Sequence, residues 1–385
     1  MPETSARGES RPQGHMPQLD GLRAFAAMAV LLFHFLGPKN VINKILPWGG
    51  LGVHLFFVLS GFLITGILLR CKVQVESGNA TTGRELRIFY LRRGLRIFPI
   101  YYLTLAVVWF ADLPFARETH GWNLCYGSNF LIARNEAWIG SMSHFWSLSV
   151  EEQFYLIWPI TVLLTPRVHL EKIFVLAVII APISRIVWLA LDGSPWGIVL
   201  PNACLDTLGM GALLALYCDP KSGDAQKQAR LTQLGFWAGV LGLITLQAVA
   251  ICGAGTRFVA ELEQSCTLLF SAVSGLLFVW IVDRCAAGKS AAWCRRILCN
   301  PIISYLGKIS YGIYLFHAFI PVAWKMLPQW TGVNIELNST QKSLIFIALT
   351  IALASLSWHL YECPINRLKK YFEYEKKNVA PSRKV

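Results

Sequence analysis

An arginine and a histidine, Arg23 and His34, stand eleven positions apart in the apolar run 19–36. If the run is helical, about 100° per residue returns them to within about 20° of one face, with roughly 16 Å of rise between them. One helix then presents a permanent cation at one depth and a titratable imidazole at another. Ionisable groups inside an apolar span are costly and mark a functional site by default. An imidazole, with an unperturbed pKa of about 6.5, can take a proton near neutrality. The structural alternatives are an arginine snorkelling to an interface and a histidine hydrogen-bonded between helices.

Further clusters have the same character. The run 49–64 carries His54 and Ser60 among apolar and small residues. Small residues let helices approach closely, so packing is the plain reading of Ser60 and Gly61. Downstream come Arg84, Arg87, Arg92, Arg93 and Arg96. Retained cytoplasmic charge accounts for the first two. Arg92, Arg93 and Arg96 stand at a span entrance, where guanidinium forks can grip phosphate oxygens. The chain has no GxxxxGKS/T loop, so nucleoside triphosphate binding of the P-loop kind is not expected, while a large cytosolic phosphoanion remains open.

The stretch from Ser143 to Tyr155 opens another apolar run and contains Trp146, Ser149, Glu151 and Glu152. Adjacent side chains on a helix point about 100° apart, so one carboxylate is expected to face a cavity. There it would orient and charge-stabilise an imidazole. Capping of a helix by Ser149, with Glu152 three residues on, is the structural alternative. Ser310, Tyr314 and His317 lie at i, i+4 and i+7 of one face, with Tyr311 beside them. Polar contacts between helices are the plain reading there. Trp358 to Glu362 reads as a helix stop at the inner interface.

These groups need elements to hold them, and the composition says which kind. The 385 residues are 55% hydrophobic and only 15% charged, with mean hydropathy +0.48. Soluble domains are nearer 25% charged, so a disordered chain is excluded and a soluble enzyme is disfavoured. Ten apolar segments are predicted as membrane helices, at roughly 19–36, 50–70, 97–112, 144–165, 173–191, 202–217, 233–252, 263–283, 305–326 and 342–361. With the N-terminus inside, the cytoplasmic pieces hold 24 Lys and Arg and the outer loops 5. That asymmetry orients the chain and predicts an even number of spans with both termini cytoplasmic. The fold class is an all-α polytopic membrane bundle. Residues 1–18 are expected to form a disordered cytoplasmic tail with no signal peptide, 19–364 the membrane domain, and 365–385 a basic tail. The net charge of +13 is dispersed among loops between spans, which argues against a nucleic-acid partner. The ten cysteines form no CxxC pair, so no metal is expected and buried free thiols are the plain reading.

Taken in order, these motifs resemble acyltransferase family 3, the integral-membrane O-acyltransferases that modify bacterial surface glycans and some antibiotics and lipids. The matching pieces are Leu-Asp-Gly-Leu-Arg-Ala at 19–24, Arg23 with ten residues before His34, and Gly-Val-His-Leu-Phe-Phe-Val-Leu-Ser-Gly-Phe-Leu-Ile at 52–64. Arg-Arg-Gly-Leu-Arg-Ile-Phe-Pro at 92–99 and Trp-Ser-Leu-Ser-Val-Glu-Glu-Gln-Phe-Tyr at 146–155 follow. Ile-Ser-Tyr-Gly-Ile-Tyr-Leu-Phe-His at 309–317 and Tyr-Glu-Cys-Pro at 361–364 complete the set, which covers nearly the whole chain. One departure is His54, where many members have Asp.

The resemblance implies an acyl-CoA donor in the cytoplasm, acetyl-CoA by family frequency, and a hydroxyl acceptor on a glycan or other envelope molecule. It puts Arg23 and His34 at the catalytic centre and makes the Glu151–Glu152 segment important, so both carboxylates are expected in the catalytic set, with His34 either removing the acceptor hydroxyl proton or accepting the acyl group itself before passing it on. Arg92, Arg93 and Arg96, with Arg23, are placed at the donor. His54, Ser60, Trp146, Ser149, Ser310, Tyr311, Tyr314 and His317 are expected to line the substrate cavity. The protein is expected in the inner (cytoplasmic) membrane. Some relatives carry an extra esterase-like domain, so a separate periplasmic esterase-like or glycan-assembly partner is expected to supply any such step. The competing reading is a transporter or flippase of a lipid-linked or small polar substrate, which broken helices in two matching halves would favour.

Overall fold

The structure, a computed structural model of the chain, describes residues 16–37, 40–252, 257–332 and 336–374. Among the described residues every regular element is a helix. A backbone crossing hydrocarbon must pair its own N–H and C=O groups, and the helix does so within one segment. The tails expected at 1–18 and 365–385 lie outside the described residues, apart from 16–18 and 365–374.

Helix α1 (Pro17–Leu36) begins with Pro17 in its first turn, where a missing N–H leaves no bond unmade. Helix α2 (Trp48–Glu76) is the central element. Its apolar window is 72% buried, against 22% for the helix Arg167–Asp192 and 17% for the helical stretch Ala225–Val249. Helix α3 spans Thr82–Phe110, α4 Phe145–Leu164, α5 Arg167–Asp192 and α6 Leu205–Tyr217. Helices α7 (Ala225–Cys252) and α8 (Arg257–Ala286) pack as an antiparallel pair against one side of α2 and α6.

The apolar stretch 305–326 is not one helix. It runs as α9 (Pro301–Lys308), α10 (Ser310–Phe316) and α11 (Phe319–Thr331). Helix α12 (Ser339–Ser357) opens with a capping box, Asn338 and Gln341 each accepting the other's backbone N–H, and ends in a π-helical turn, Trp358–Glu362.

Glycine makes the central seam possible. A Cβ on Gly61 of α2 would run into the carbonyl of Leu208 on α6, and one on Gly211 of α6 into the carbonyl of Val58 on α2. The two backbones therefore lie in direct contact, as small-residue packing in membranes allows.

All ten predicted apolar segments fall on helices, and six of the described helices are long and apolar enough to cross a membrane. The other four segments depart for visible reasons. Segment 97–112 is the second half of α3, whose first half carries the arginines expected in a loop. Segment 144–165 holds two carboxylates, 202–217 follows a 3-10 turn and keeps only thirteen residues as α6, and 305–326 is broken. Apolar side chains such as Leu176, Ile179, Ile183 and Ile186 on α5 stand exposed around the outside, a girdle suited to lipid.

The 113–143 connection, expected as an outer loop, is folded. Helices His120–Leu124 and Ser128–Asn135 tuck Asn123, Ser128 and Asn129 fully into the protein over the start of α4.

Candidate active site

Five elements turn polar faces to one cavity. Ser147, Glu151 and Tyr155 follow at i, i+4 and i+8 on α4, and Phe56 and Ser60 share a face of α2. Arg93 and Arg96 come from α3, and Ser310, Tyr311 and Tyr314 from α10. Arg23 of α1 closes the set. A cavity of about 70 Å³, partly open to the outside, lies between these walls.

A hydrogen-bond relay crosses the middle. Tyr155 donates to Ser60 Oγ at 2.9 Å, and Ser60 donates to Glu151 Oε1 at 2.6 Å. The guanidiniums of Arg23, Arg93 and Arg96 lie within Coulombic range of Glu151. Arg93 stacks over the Tyr155 ring, 5.1 Å from its centroid, which holds the cation while leaving its N–H fork free. Arg23 is steadied by Asp20, one turn earlier, at 3.7 Å. Glu152 also lines the cavity and makes no hydrogen bond to a described residue. The wall itself carries three guanidiniums and two carboxylates, with the Asp20 carboxylate beside Arg23. At the far end Ser147 and Tyr314 share a hydroxyl contact of 2.5 Å, with Ser310 buried beside them.

Beyond Tyr314 lies a layer of histidines. The His317 ring is 5.5 Å from Tyr314, 4.9 Å from His34 and 5.0 Å from His144, centroid to centroid. His34 itself is exposed, at the end of α1 away from Arg23, with Nδ1 on the carbonyl of Val30 at 2.9 Å.

Several expected neighbours are separated. Glu151 does not touch His34: its recorded partner is Ser60, and Arg23 and His34 share a face but not a depth. His54 is turned away from the cavity toward α8, where Nδ1 meets Ser274 Oγ at 2.7 Å beside the buried Arg185–Asp206 pair. Ser149 stands about 200° around α4 from Glu151 and so points away from the cavity into the packed interior, sharing a hydrogen bond of 2.8 Å with Ser128. It does not cap a helix, because α4 starts four residues earlier. Trp146 packs edge-on against Phe57, 6.1 Å away. Arg92 points about 100° from Arg93 and donates to the carbonyls of Lys369 and Phe372. His317 belongs to the histidine layer rather than the cavity wall, because α10 ends at Phe316.

The residues missed were Ser147 and Tyr155, although their four-residue spacing around Glu151 was in the sequence. Glu362, expected only at a helix stop, is buried against Gly312 of α10 and accepts from Ser357 at 2.9 Å. His144 was missed as well, since a histidine before a helix carries no periodic signal. Among the described residues no cluster of His, Cys, Asp or Glu has the make-up of a metal site.

The described residues thus form an all-helical bundle with a polar, arginine-lined cavity between apolar helices. Residues 16–361 match the acyltransferase domain family, and the chain belongs to it. The chain is 28% identical over 378 residues to the peptidoglycan O-acetyltransferase OatA of Listeria monocytogenes, covering 92% of this chain and 56% of that protein. It is 30% identical over 379 residues to the putative peptidoglycan O-acetyltransferase YrhL of Bacillus subtilis, covering 91% and 55%. A putative O-acetyltransferase of Staphylococcus aureus is 27% identical, with 95% and 60% covered. The chain thus spans little more than half the length of these relatives. No solved structure matches it.

Proposed function

We propose that the protein is a membrane O-acyltransferase that moves an acetyl group from acetyl-CoA to a hydroxyl of an envelope glycan. The observation that carries this reading is the cavity itself. Arg93, Arg96 and Arg23 offer three guanidiniums around one opening, the charge a CoA diphosphate and 3′-phosphate require. Phe56, Phe57, Tyr155 and Tyr311 supply apolar wall for a pantetheine arm, and the Ser147–Tyr314 hydroxyls stand in the same cavity. The two relatives named as peptidoglycan O-acetyltransferases support a glycan acceptor.

In this reading the donor enters from the cytoplasm, across the cytoplasmic membrane. Its thioester carbonyl lies at the Ser147–Tyr314 end, where hydroxyl donors stabilise the tetrahedral oxyanion. His34 removes the proton of the acceptor hydroxyl, whose oxygen attacks the thioester carbon. The C–S bond breaks, the ester forms, and the thiolate recovers a proton as free CoA. Glu151 fixes Ser60 and Tyr155 and offsets the guanidinium charge, so the cavity closes around the donor without excess repulsion.

The test is transfer by purified protein in lipid nanodiscs. Labelled acetyl from acetyl-CoA is expected to appear on a peptidoglycan or glycan fragment, and His34→Ala to lower the rate at least about 1000-fold while the protein stays folded. Movement of unmodified glycan with no consumption of acetyl-CoA would establish transport instead.

A further inference from the structure

His34, His144 and His317 form one layer, yet their nitrogens are not equivalent. A carbonyl oxygen only accepts, so a neutral ring donates through its one protonated nitrogen, and a neutral ring set between two carbonyls bonds only one of them. His144 has both nitrogens against carbonyls, Nδ1 on Ser141 at 3.0 Å and Nε2 on Leu315 at 3.1 Å. It is flanked by the backbone on both sides. His34 Nδ1 faces Val30 O at 2.9 Å and His317 Nδ1 faces Tyr314 O at 2.6 Å. In the neutral rings both Nε2 atoms therefore hold lone pairs. That of His317 is fully buried and has no hydrogen-bond partner. A buried acceptor without a donor is costly, and a proton shared between two rings satisfies it while spreading the charge it brings.

We propose that His317 is the proton-holding partner of His34: the proton that His34 Nε2 takes from the acceptor hydroxyl is shared with, and held by, His317 Nε2. This deepens the reading of His34 as the base and rests on it. The rings lie 4.9 Å apart, centroid to centroid, with no hydrogen bond between them in this structure, so a small ring rotation or one water completes the link. The proton leaves the acceptor O–H, resides on the imidazole pair while the C–O bond forms and the C–S bond breaks, and returns to the leaving thiolate. No charge is created or lost in the sum. The groups facing His317 are His34 from α1, His144 ahead of α4 and Tyr314 of its own helix. No carboxylate or guanidinium is recorded against it, so a second imidazole is the group at hand to accept the proton. Tyr314, shared by the cavity wall and this layer, joins the two centres. His317 acts through His34 and is a positioning residue.

His317→Asn keeps a donor for the Tyr314 carbonyl and removes the free nitrogen. His317→Gln restores a polar group at the Nε2 position. The expected result is a fall in kcat of about 100-fold for both the Asn and Gln variants, since an amide accepts a hydrogen bond but holds no proton, with KM for acetyl-CoA within about twofold and displacement of the acidic limb of the pH–rate profile by about one unit or more. Asn with wild-type kcat and an unmoved profile overturns the proposal. Should both variants fail to fold, 15N-histidine NMR of the wild-type protein decides. One proton shared by two Nε2 atoms supports the pair, and two independent titrations refute it. If His34→Ala loses transfer and His317→Asn does not, the base assignment stands without its partner. If His34→Ala retains transfer, the reading of His34 fails first.

Discussion

Ser147 and Ser149 are two residues apart on α4 and about 200° apart around it. One shares a hydroxyl contact with Tyr314 at the cavity end, the other meets Ser128 in the packed interior. The same amino acid therefore has two consequences. Ser147→Ala is expected to lower kcat by about 10- to 100-fold, as loss of an oxyanion donor does. Ser149→Ala is expected to cost about 1 kcal/mol of stability with kcat within about twofold. Thermal unfolding and transfer rates measured on both variants separate the two roles. The arginines divide in the same way. Arg93 and Arg96 line the cavity, whereas Arg92 donates to two carbonyls of the segment after α12. Arg93→Ala and Arg96→Ala should each raise KM for the donor about tenfold, and the effect should shrink as added salt screens the charges. Arg92→Ala should leave that KM near wild type and speed proteolysis after residue 368.

At the scale of elements, the break between α9 and α10 is what gives α10 its place. A continuous helix over 301–331 would carry Ser310 and Tyr314 past the cavity in fixed register with its flanks. Stopping at Ile309 and restarting at Ser310 lets the short helix set its own rotation. Non-helical joints inside a membrane protein are tolerated where they are buried or line a cavity, and this one does both. The break supports a site, but no matching break in a second half is present among the described helices, as paired transporter repeats would require. Gly307, just before it, has no room for a Cβ because the carbonyl of Asp20 on α1 fills the space. Gly307→Ala is expected to push α1 away, to move Arg23, and to lower both stability and donor affinity, read by thermal unfolding and KM together.

For the whole molecule, α2 separates two polar centres. One face looks into the cavity, and the other carries His54 toward Ser274 and the Arg185–Asp206 pair. That pair is held at 2.7 Å with side chains almost wholly out of solvent, and Ser271 also donates to Asp206 Oδ2 at 2.8 Å. Removing one member of a buried pair strands the other charge, at about 3–5 kcal/mol. Asp206→Ala is therefore expected to unfold far more readily in detergent while the surviving folded fraction keeps its KM for the donor. Loss of donor binding with stability intact would instead make this second centre part of the site.

The helical class, the positions of the ten apolar segments and most of the cavity-facing residues were legible in the sequence. Local periodicity determines them: lipid demands internally bonded helices, and a turn of about 3.6 residues fixes which side chains share a face. It put Ser310 with Tyr314, and it held the unread spacing of Ser147, Glu151 and Tyr155. Partners across helices were another matter. A helix's own period says nothing of its neighbour's rotation or depth. Only packing decided that Glu151 meets Ser60 instead of His34, that His54 turns toward α8, and that His34 finds His317. Those choices rest on contacts such as Gly61 against Leu208 and Gly307 against Asp20, where backbone touches backbone and one methyl group would shift the register of the whole layer.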